Sequence, residues 1–432
     1  MSSLPSLLSQ MRIKDAARPQ VTGCVERVVG LRFDVSGLDA GVGDEVCIES
    51  SGLRGQVVAL DGDLVSCMPM GETHGMRVGD RVVTTGEMPT APVGWELLGR
   101  VLDGFGVPLD KKLPLGDLRA GLHETPPHPL DRKLIREPLV LGVRAWDSMA
   151  TLGKGQRVGV FAGSGVGKST LMGMIARNTK AQVNVVALIG ERGREVREFI
   201  ENDLGEEGMS RTVLIVATSD QPALVRIRAA FVATRIAEWF RDEGADVLLM
   251  MDSLTRFCMA QREVGLSAGE PAATRGYTPS VFAMMPKLLE RAGASDNGSI
   301  TGIYTILVDG DDHNEPISDA ARSILDGHIT LSRALAHSNH YPAIDVLASV
   351  SRVMSSVTDK NERELAGKLR KLLSAWRDAK DLVEIGAYVP GTNEVADEAI
   401  AKRSVIESFL QQDVEEQSDW ESTWEALREA LS

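Results

Sequence analysis

Residues 162–170 read AGSGVGKST and follow the short apolar run Val158 to Phe161. An apolar run, a glycine-rich loop and then Lys-Ser describe a strand that turns through an anion cradle into a helix. That unit commits this part of the chain to a parallel sheet flanked by helices. Gly163, Gly165 and Gly167 let backbone N–H groups point inward around an anion without Cβ clashes. Ala162, Ser164, Val166 and Thr170 complete the loop, with Ala162 as a permitted variant of the usual first glycine. Lys168 offers a compact positive charge for β/γ-phosphates, and Ser169 a hydroxyl for Mg²⁺. A helix starting at Lys168 adds the positive end of its dipole. The competing reading is a glycine-rich turn with no ligand.

The rest of the central region supplies what a phosphate site needs. Apolar runs Val183–Ile189, Thr212–Thr218, Val247–Met251 and Ile303–Leu307 alternate with segments of helical length. In such sheets, ligands bind outside the carboxyl ends of the strands. The second strand delivers Glu191 and Arg192 in the run GERGREVRE. A carboxylate there could orient and polarise an attacking water, or it could be an ordinary acid at a helix start. The strand LLMMD ends at Asp252. An acid after four apolar residues suits a Mg²⁺ ligand acting through water, because an unpaired buried carboxylate is costly. Arg352, in ASVSRVM, lies past the last core strand. It is placed either to reach a neighbouring subunit's phosphate loop or to make a salt bridge between domains.

The 432 residues leave room for about two or three domains. Residues 1–20 contain a short amphipathic stretch, Leu4, Leu7, Leu8 and Met11. Between Val21 and Thr85, short β-type runs separated by Gly and Asp turns predict a small barrel or sandwich. The Pro- and Gly-rich segment Pro89 to Pro138 reads as a wrap between domains. After about residue 353 the period is helical, with Leu365, Leu369, Leu372, Leu373 and Trp376 on one face and Trp420, Trp424, Leu427 and Leu431 on another.

The net charge of −14 argues against sequence-independent nucleic-acid binding. Half of it sits in Ser404–Ser432, which holds eight acids and one base. No apolar run is long enough to span a bilayer, and no signal-peptide core is visible at the N-terminus. Cys24, Cys47, Cys67 and Cys258 form no CxxC pair and are expected to be buried thiols in a reducing cytoplasm.

The run PAIDVLASVS, residues 342–351, fits the signature of the rotary-ATPase α/β superfamily. Around it, GQRVGVFAGSGVGKS, IGERGREVREF, MDSLTRFCMAQRE, GYTPSVFAMMPKLLERAG, DGDDHNEP and SILDGHITLSR resemble the ATPase of bacterial type III protein export. TRGYTPSVFA with GSITG leans toward its flagellar branch. The resemblance covers nearly the whole chain from about residue 20. It implies an N-terminal segment at 1–20, a small β-barrel at 21–92, a central α/β RecA-like P-loop ATPase domain at 93–347 and an α-helical C-terminal domain at 348–432.

By the same resemblance the chain forms a homohexamer with nucleotide at each interface. Lys168 and Ser169 meet the phosphates and Mg²⁺, Glu191 activates water with Arg192 beside it, Asp252 serves the metal, and Arg352 reaches in from the next subunit. Tyr388, in IGAYVPG, is expected near adenine. Implied partners are a stator-like regulator at the N-terminal segment, chaperones and export substrates at the C-terminal helices, and a membrane-embedded export gate. The implied place of work is the cytoplasm, peripheral at the inner face of the cytoplasmic membrane.

The expected function is an ATP-driven motor for flagellar protein export. A virulence (injectisome) secretion ATPase would share every catalytic residue. An ATP synthase catalytic subunit and a hexameric RNA translocase fit less well. The latter needs aromatic and basic groups on its barrel, where Phe33 is the only Phe, Tyr or Trp between Val21 and Thr85. Trp146, in GVRAWDS, and the Trp420/Trp424 segment match no motif of the resemblance.

Overall fold

A computed structural model describes residues 21–308 and 315–432. The N-terminal amphipathic segment and most of DGDDHNEP lie outside the described residues. The chain divides into two compact units.

The first unit is built on a closed barrel. Its strands are β1 (Thr22–Val29), β2 (Arg32–Ser36), β3 (Glu45–Ile48), β4 (Arg54–Asp61), β5 (Leu64–Pro69) and β6 (Arg81–Thr84). They close in the order β1-β2-β5-β4-β3-β6, every pairing antiparallel. Inward positions place Val25, Phe33, Val35, Val46, Ile48, Val57, Cys67 and Val82 in a single core. Strand alternation also corrects the cysteine expectation. Cys67 is buried and its thiol is pushed up to about 12 by burial, with the Asp34 charge adding to it. Cys24, on an outward position of β1, is exposed, and Cys47 is half-buried.

The second unit carries the large sheet. Its path uses β7 (Val101–Asp103), β8 (Arg157–Ala162), β9 (Val183–Ile189), β10 (Thr212–Ala217), β11 (Asp246–Asp252), β12 (Ser299–Leu307), β13 (Gly327–Thr330) and β14 (Val350–Ser351). The order is β14-β13-β8-β12-β11-β9-β10-β7, and all neighbours are parallel except β13 and β14. The Pro- and Gly-rich segment is thus more than a wrap, since Val101–Asp103 extends the sheet at its edge. All seven residues of β9 and all six of β10 are buried, as expected of strands covered on both faces.

Helices α1 (Arg144–Met149), α2 (Lys168–Asn178), α3 (Gly193–Glu198), α4 (Ala223–Asp242), α5 (Leu254–Ser267), α6 (Pro279–Leu289) and α7 (Pro316–Ile324) belong to the connections around this sheet. Glu238 of α4 and Arg291 form a bidentate pair at 2.7 and 2.6 Å, each side chain 2% exposed. The Arg291 guanidinium also donates to the Leu122 carbonyl at 3.0 Å. Removing one member of such a pair strands the other charge. Arg291→Leu is therefore expected to destabilise the protein by about 3–5 kcal/mol, read as a lowered denaturation midpoint.

Three helices end the chain: α8 (Lys360–Glu384), α9 (Glu394–Leu410) and α10 (Trp420–Leu431). Each starts on a side chain that accepts from the first free N–H groups, namely Asp359, Asn393 and Asp419. The Trp420/Trp424 segment has a structural role. Trp424, Leu427 and Leu431 are buried in the same apolar core as Trp146, Met149, Val160 and Ile175, so the terminal helices share a core with the nucleotide-loop side of the sheet. Trp420 packs on Trp424 edge to face, with centroids 5.6 Å apart. Among the described residues no helix is long and apolar enough to cross a membrane.

Candidate active site

The glycine-rich loop leaves β8 and enters α2 at Lys168, with Gly165 and Gly167 both at positive φ. Gly167, the residue before the helix, has φ +86°, and a Cβ there would stand 3.3 Å from the Tyr341 ring. The backbone conformation therefore favours glycine, and a side chain there would also crowd the ring. Val166 is buried under the loop, whereas Ser164 and Ser169 are exposed.

Three strand ends converge here. Lys168 Nζ contacts a carboxylate oxygen of Asp252 at the end of β11 and lies 3.5 Å from Glu191 Oε1, just past β9. The three side chains are 11%, 6% and 20% exposed, respectively. Thr305 of β12 donates to Asp252 Oδ1 at 2.6 Å, the same oxygen that Lys168 contacts, so two donors fix that oxygen. The Glu191 backbone is fixed as well, its carbonyl accepting from Ser219 N–H at 3.0 Å. Gly190 sits at φ +74°, and a Cβ there would come within 2.9 Å of the Arg256 stem.

One cation against two carboxylates sets the electrostatics. Burial opposes the charge on Lys168, but Asp252 and Glu191 outweigh it and hold the ammonium above its usual range. Burial and then the Asp252 charge push Glu191 up to about 7, against the pull of Lys168. A carboxylate poised there takes a proton effectively at neutral pH.

Arg192 does not join this cluster. It is the residue before α3, 77% exposed, and faces Glu195 at 3.6 Å. Arg352 follows β14 and is exposed; its N–H donates to the Asp326 carbonyl at 3.0 Å and its guanidinium to the Arg322 carbonyl at 3.2 Å. Tyr388 is placed away from the loop, against the expectation of a role at adenine. Its hydroxyl donates to Asp397 Oδ1 at 2.9 Å, between α8 and α9.

The aromatic ring beside the loop is Tyr341. A cavity of about 540 Å³ opens between Gly165, Gly167 and Thr170 on one side and Tyr341 and Gln411–Val414 on the other. Sequence reasoning missed Tyr341, although it directly precedes the PAIDVLASVS run. It also missed Thr305, a hydroxyl inside an apolar strand. Arg256, in MDSLTRF, was missed too; its Nε is buried without a hydrogen-bond partner among the described residues.

The nucleotide-binding domain of the ATP synthase alpha/beta family matches residues 142–351, and that family's beta-barrel domain matches residues 20–86. The chain belongs to this family. A third match, the T3SS EscN ATPase C-terminal domain, spans residues 358–429. The chain is 52% identical to the flagellum-specific ATP synthase of Bacillus subtilis (strain 168), with 91% of each chain covered. It is 50% identical to that of Treponema pallidum (strain Nichols), covering 94% of this chain and 92% of the relative. The type 3 secretion system ATPase of Xanthomonas euvesicatoria is also 50% identical, with 92% and 91% covered.

Among solved structures, the assembled ATPase EscN from the enteropathogenic E. coli type III secretion system superposes with a TM-score of 0.92. It is 46% identical, with 95% of this chain and 100% of that one covered. EscN in complex with its central stalk EscO gives 0.89 at 45% identity, with the same coverage. The protein is an ATP hydrolase of the ATP synthase alpha/beta family, similar to flagellum-specific ATP synthases and to type 3 secretion system ATPases.

Proposed function

We propose that the protein hydrolyses Mg-ATP as a homohexameric ring in the cytoplasm, at the base of a flagellar export apparatus. The observation that carries the site is the convergence of Lys168, Glu191 and Asp252 at the carboxyl edge of the sheet, next to a glycine loop whose Ser164 and Gly165 are exposed. In the free protein Lys168 answers two carboxylates; a bound triphosphate offers it a larger negative charge. The loop from Ala162 to Thr170 cradles the phosphates, and Tyr341 faces the base in the adjoining cavity. Arg256, beside Gly190, stands as a second cation near the strand end that carries Glu191.

The donor set suits magnesium, which takes hard oxygens, keeps several waters and uses few protein ligands. Ser169 would hold it directly and Asp252 through water, and the ion would neutralise charge on the phosphates. Glu191 orients a water and accepts its proton while the water oxygen bonds to the γ-phosphorus and the bridging oxygen leaves with ADP. Arg352, exposed beyond β14, completes the site of the neighbouring subunit.

Glu191→Gln is expected to retain ATP binding and lose at least ~10²-fold in kcat, because the amide keeps the shape but cannot take a proton. In the native enzyme kcat/KM should rise with pH through about 7, as the raised Glu191 carboxyl gives up its proton. In the Gln variant that rise should vanish. Loss of binding together with turnover would make Glu191 structural.

The export reading rests on flagellar relatives at about 50% identity over most of the chain. The tip between α8 and α9 exposes Leu382, Ile385 and Val389, which supports a docking role for chaperones, substrates or a stalk like EscO. An injectisome role is the second reading, favoured by the Xanthomonas relative and by EscN. Complementation separates them: a gene that restores swimming to a strain lacking its flagellar ATPase is flagellar, and one that restores only effector secretion is not.

A further inference from the structure

We infer that Gln412 and Arg144 are positioning residues that set the lip of the base cavity, and so decide how tightly the nucleotide base, but not the phosphates, is held. The inference rests on the reading of that cavity as the base site.

The lip, Gln411–Val414, follows the end of α9 and has no ladder of its own. Its backbone groups need outside partners, and the α1–α2 side of the unit supplies them. Arg144 Nη2 donates to the Gln411 carbonyl at 2.6 Å, and Arg144 Nε to Phe409 at 3.2 Å. These carbonyls lie at the negative end of α9, where a guanidinium is favoured. The same guanidinium pairs with Glu416, beyond the lip. Arg177, at the end of α2, donates to the Val414 carbonyl at 2.7 Å.

Gln412 is 5% exposed, and its amide is used in full. Nε2 donates to the carbonyls of Gly142 at 2.8 Å and Glu416 at 2.9 Å, while Oε1 accepts from Arg144 N–H at 2.9 Å. Its own N–H donates to the Tyr341 carbonyl at 3.0 Å. The buried side chain thus joins the turn before α1 to the lip, and the backbone of the same residue ties the lip to Tyr341, whose ring faces Gly167. The turn is itself rigid, because the buried Asp147 carboxylate accepts from the N–H groups of Leu141, Gly142 and Val143. Lys168, Glu191 and Asp252 take no part in this network, so its loss should move the base contacts and leave the phosphate contacts in place.

The test compares ATP with inorganic triphosphate, which has the phosphates and no base. Gln412→Leu keeps the volume and removes the three side-chain hydrogen bonds, leaving the backbone N–H on Tyr341. It is expected to raise KM for ATP about tenfold, with kcat within about twofold and inhibition by triphosphate unchanged. Arg144→Ala should act in the same direction. Arg144→Lys, which keeps a charge beside Glu416 but lacks the fork that reaches two carbonyls, should fall between.

Equal weakening of ATP and triphosphate would mark a general structural role and overturn the inference, as would an unchanged KM for ATP. If Gln412→Leu does not fold, the Arg144 variants carry the same comparison. Tyr341→Ala checks the cavity itself. If it leaves the ratio of ATP to triphosphate affinity unchanged, the cavity is not the base site and the lip assignment falls with it. If Tyr341→Ala shifts that ratio and the Gln412 and Arg144 variants do not, only the lip assignment fails.

Discussion

Lys168→Ala is expected to reduce ATP turnover by at least ~10³-fold, below the detection limit of a coupled assay. The loop has no other side-chain cation, so the charge developing on the transferred phosphoryl group would meet backbone N–H groups alone. The variant also disturbs the free protein, because Asp252 and Glu191 lose the ammonium that lies between them. Two like charges left together in a largely buried site disfavour each other's ionisation. Without the pull of Lys168, the Glu191 carboxyl, already pushed up to about 7, should move higher, and the thermal midpoint of the variant should fall more steeply as pH rises above neutral. Circular dichroism and a fluorescent-nucleotide titration separate lost chemistry from lost folding. A folded Lys168→Ala protein that keeps more than about a tenth of native turnover would move the phosphate site elsewhere.

The second large effect concerns Arg352. Its side chain is exposed and held by the Arg322 carbonyl, and it makes no contact with Lys168, Glu191 or Asp252 of its own chain. If it serves the neighbouring subunit's phosphates, Arg352→Ala should lower kcat by ~10³-fold or more while nucleotide affinity stays near native. Turnover per native subunit should rise with protein concentration as rings form, and in the variant that dependence should flatten at a low rate. Light scattering recorded in parallel ties the rise to assembly.

Mixing gives the sharper outcome. Rings of Arg352→Ala and Lys168→Ala subunits contain some interfaces with an intact loop facing an intact arginine, so part of the activity should return. Absence of recovery in rings shown to co-assemble would remove the shared-site assignment and leave Arg352 as a domain-packing residue.

Lys168, Glu191 and Asp252 were legible in the sequence because each is tied to a local pattern. Asp252 closes an apolar run, Glu191 follows one after a single glycine and Lys168 follows one after the glycine loop, and in a parallel sheet such residues all lie at the carboxyl edge. Register then completes the geometry, with Leu188 opposite Asp252 across β9 and β11. The barrel and the terminal helices were legible for the same reason, since period and turn chemistry are properties of short segments. Which faces these elements bury was not. The Trp420 and Trp424 pattern identifies an amphipathic helix, but its partner is a core assembled from β8, α1 and α2, far away along the chain.

The cavity proposed for the base was decided entirely by tertiary structure. Its walls come from the glycine loop, from Tyr341 and from Gln411–Val414, three segments with no common period or spacing. The resemblance pointed instead to Tyr388. That residue follows a 25-residue helix, ~37 Å long at 1.5 Å per residue, which carries it toward the helical tip rather than back to the loop. Gln412 shows the general point. In the sequence it is a polar residue in an acidic tail. Only packing buries its amide against Gly142, Arg144 and Glu416, where each hydrogen-bonding group must find a partner and thereby fixes the position of the lip.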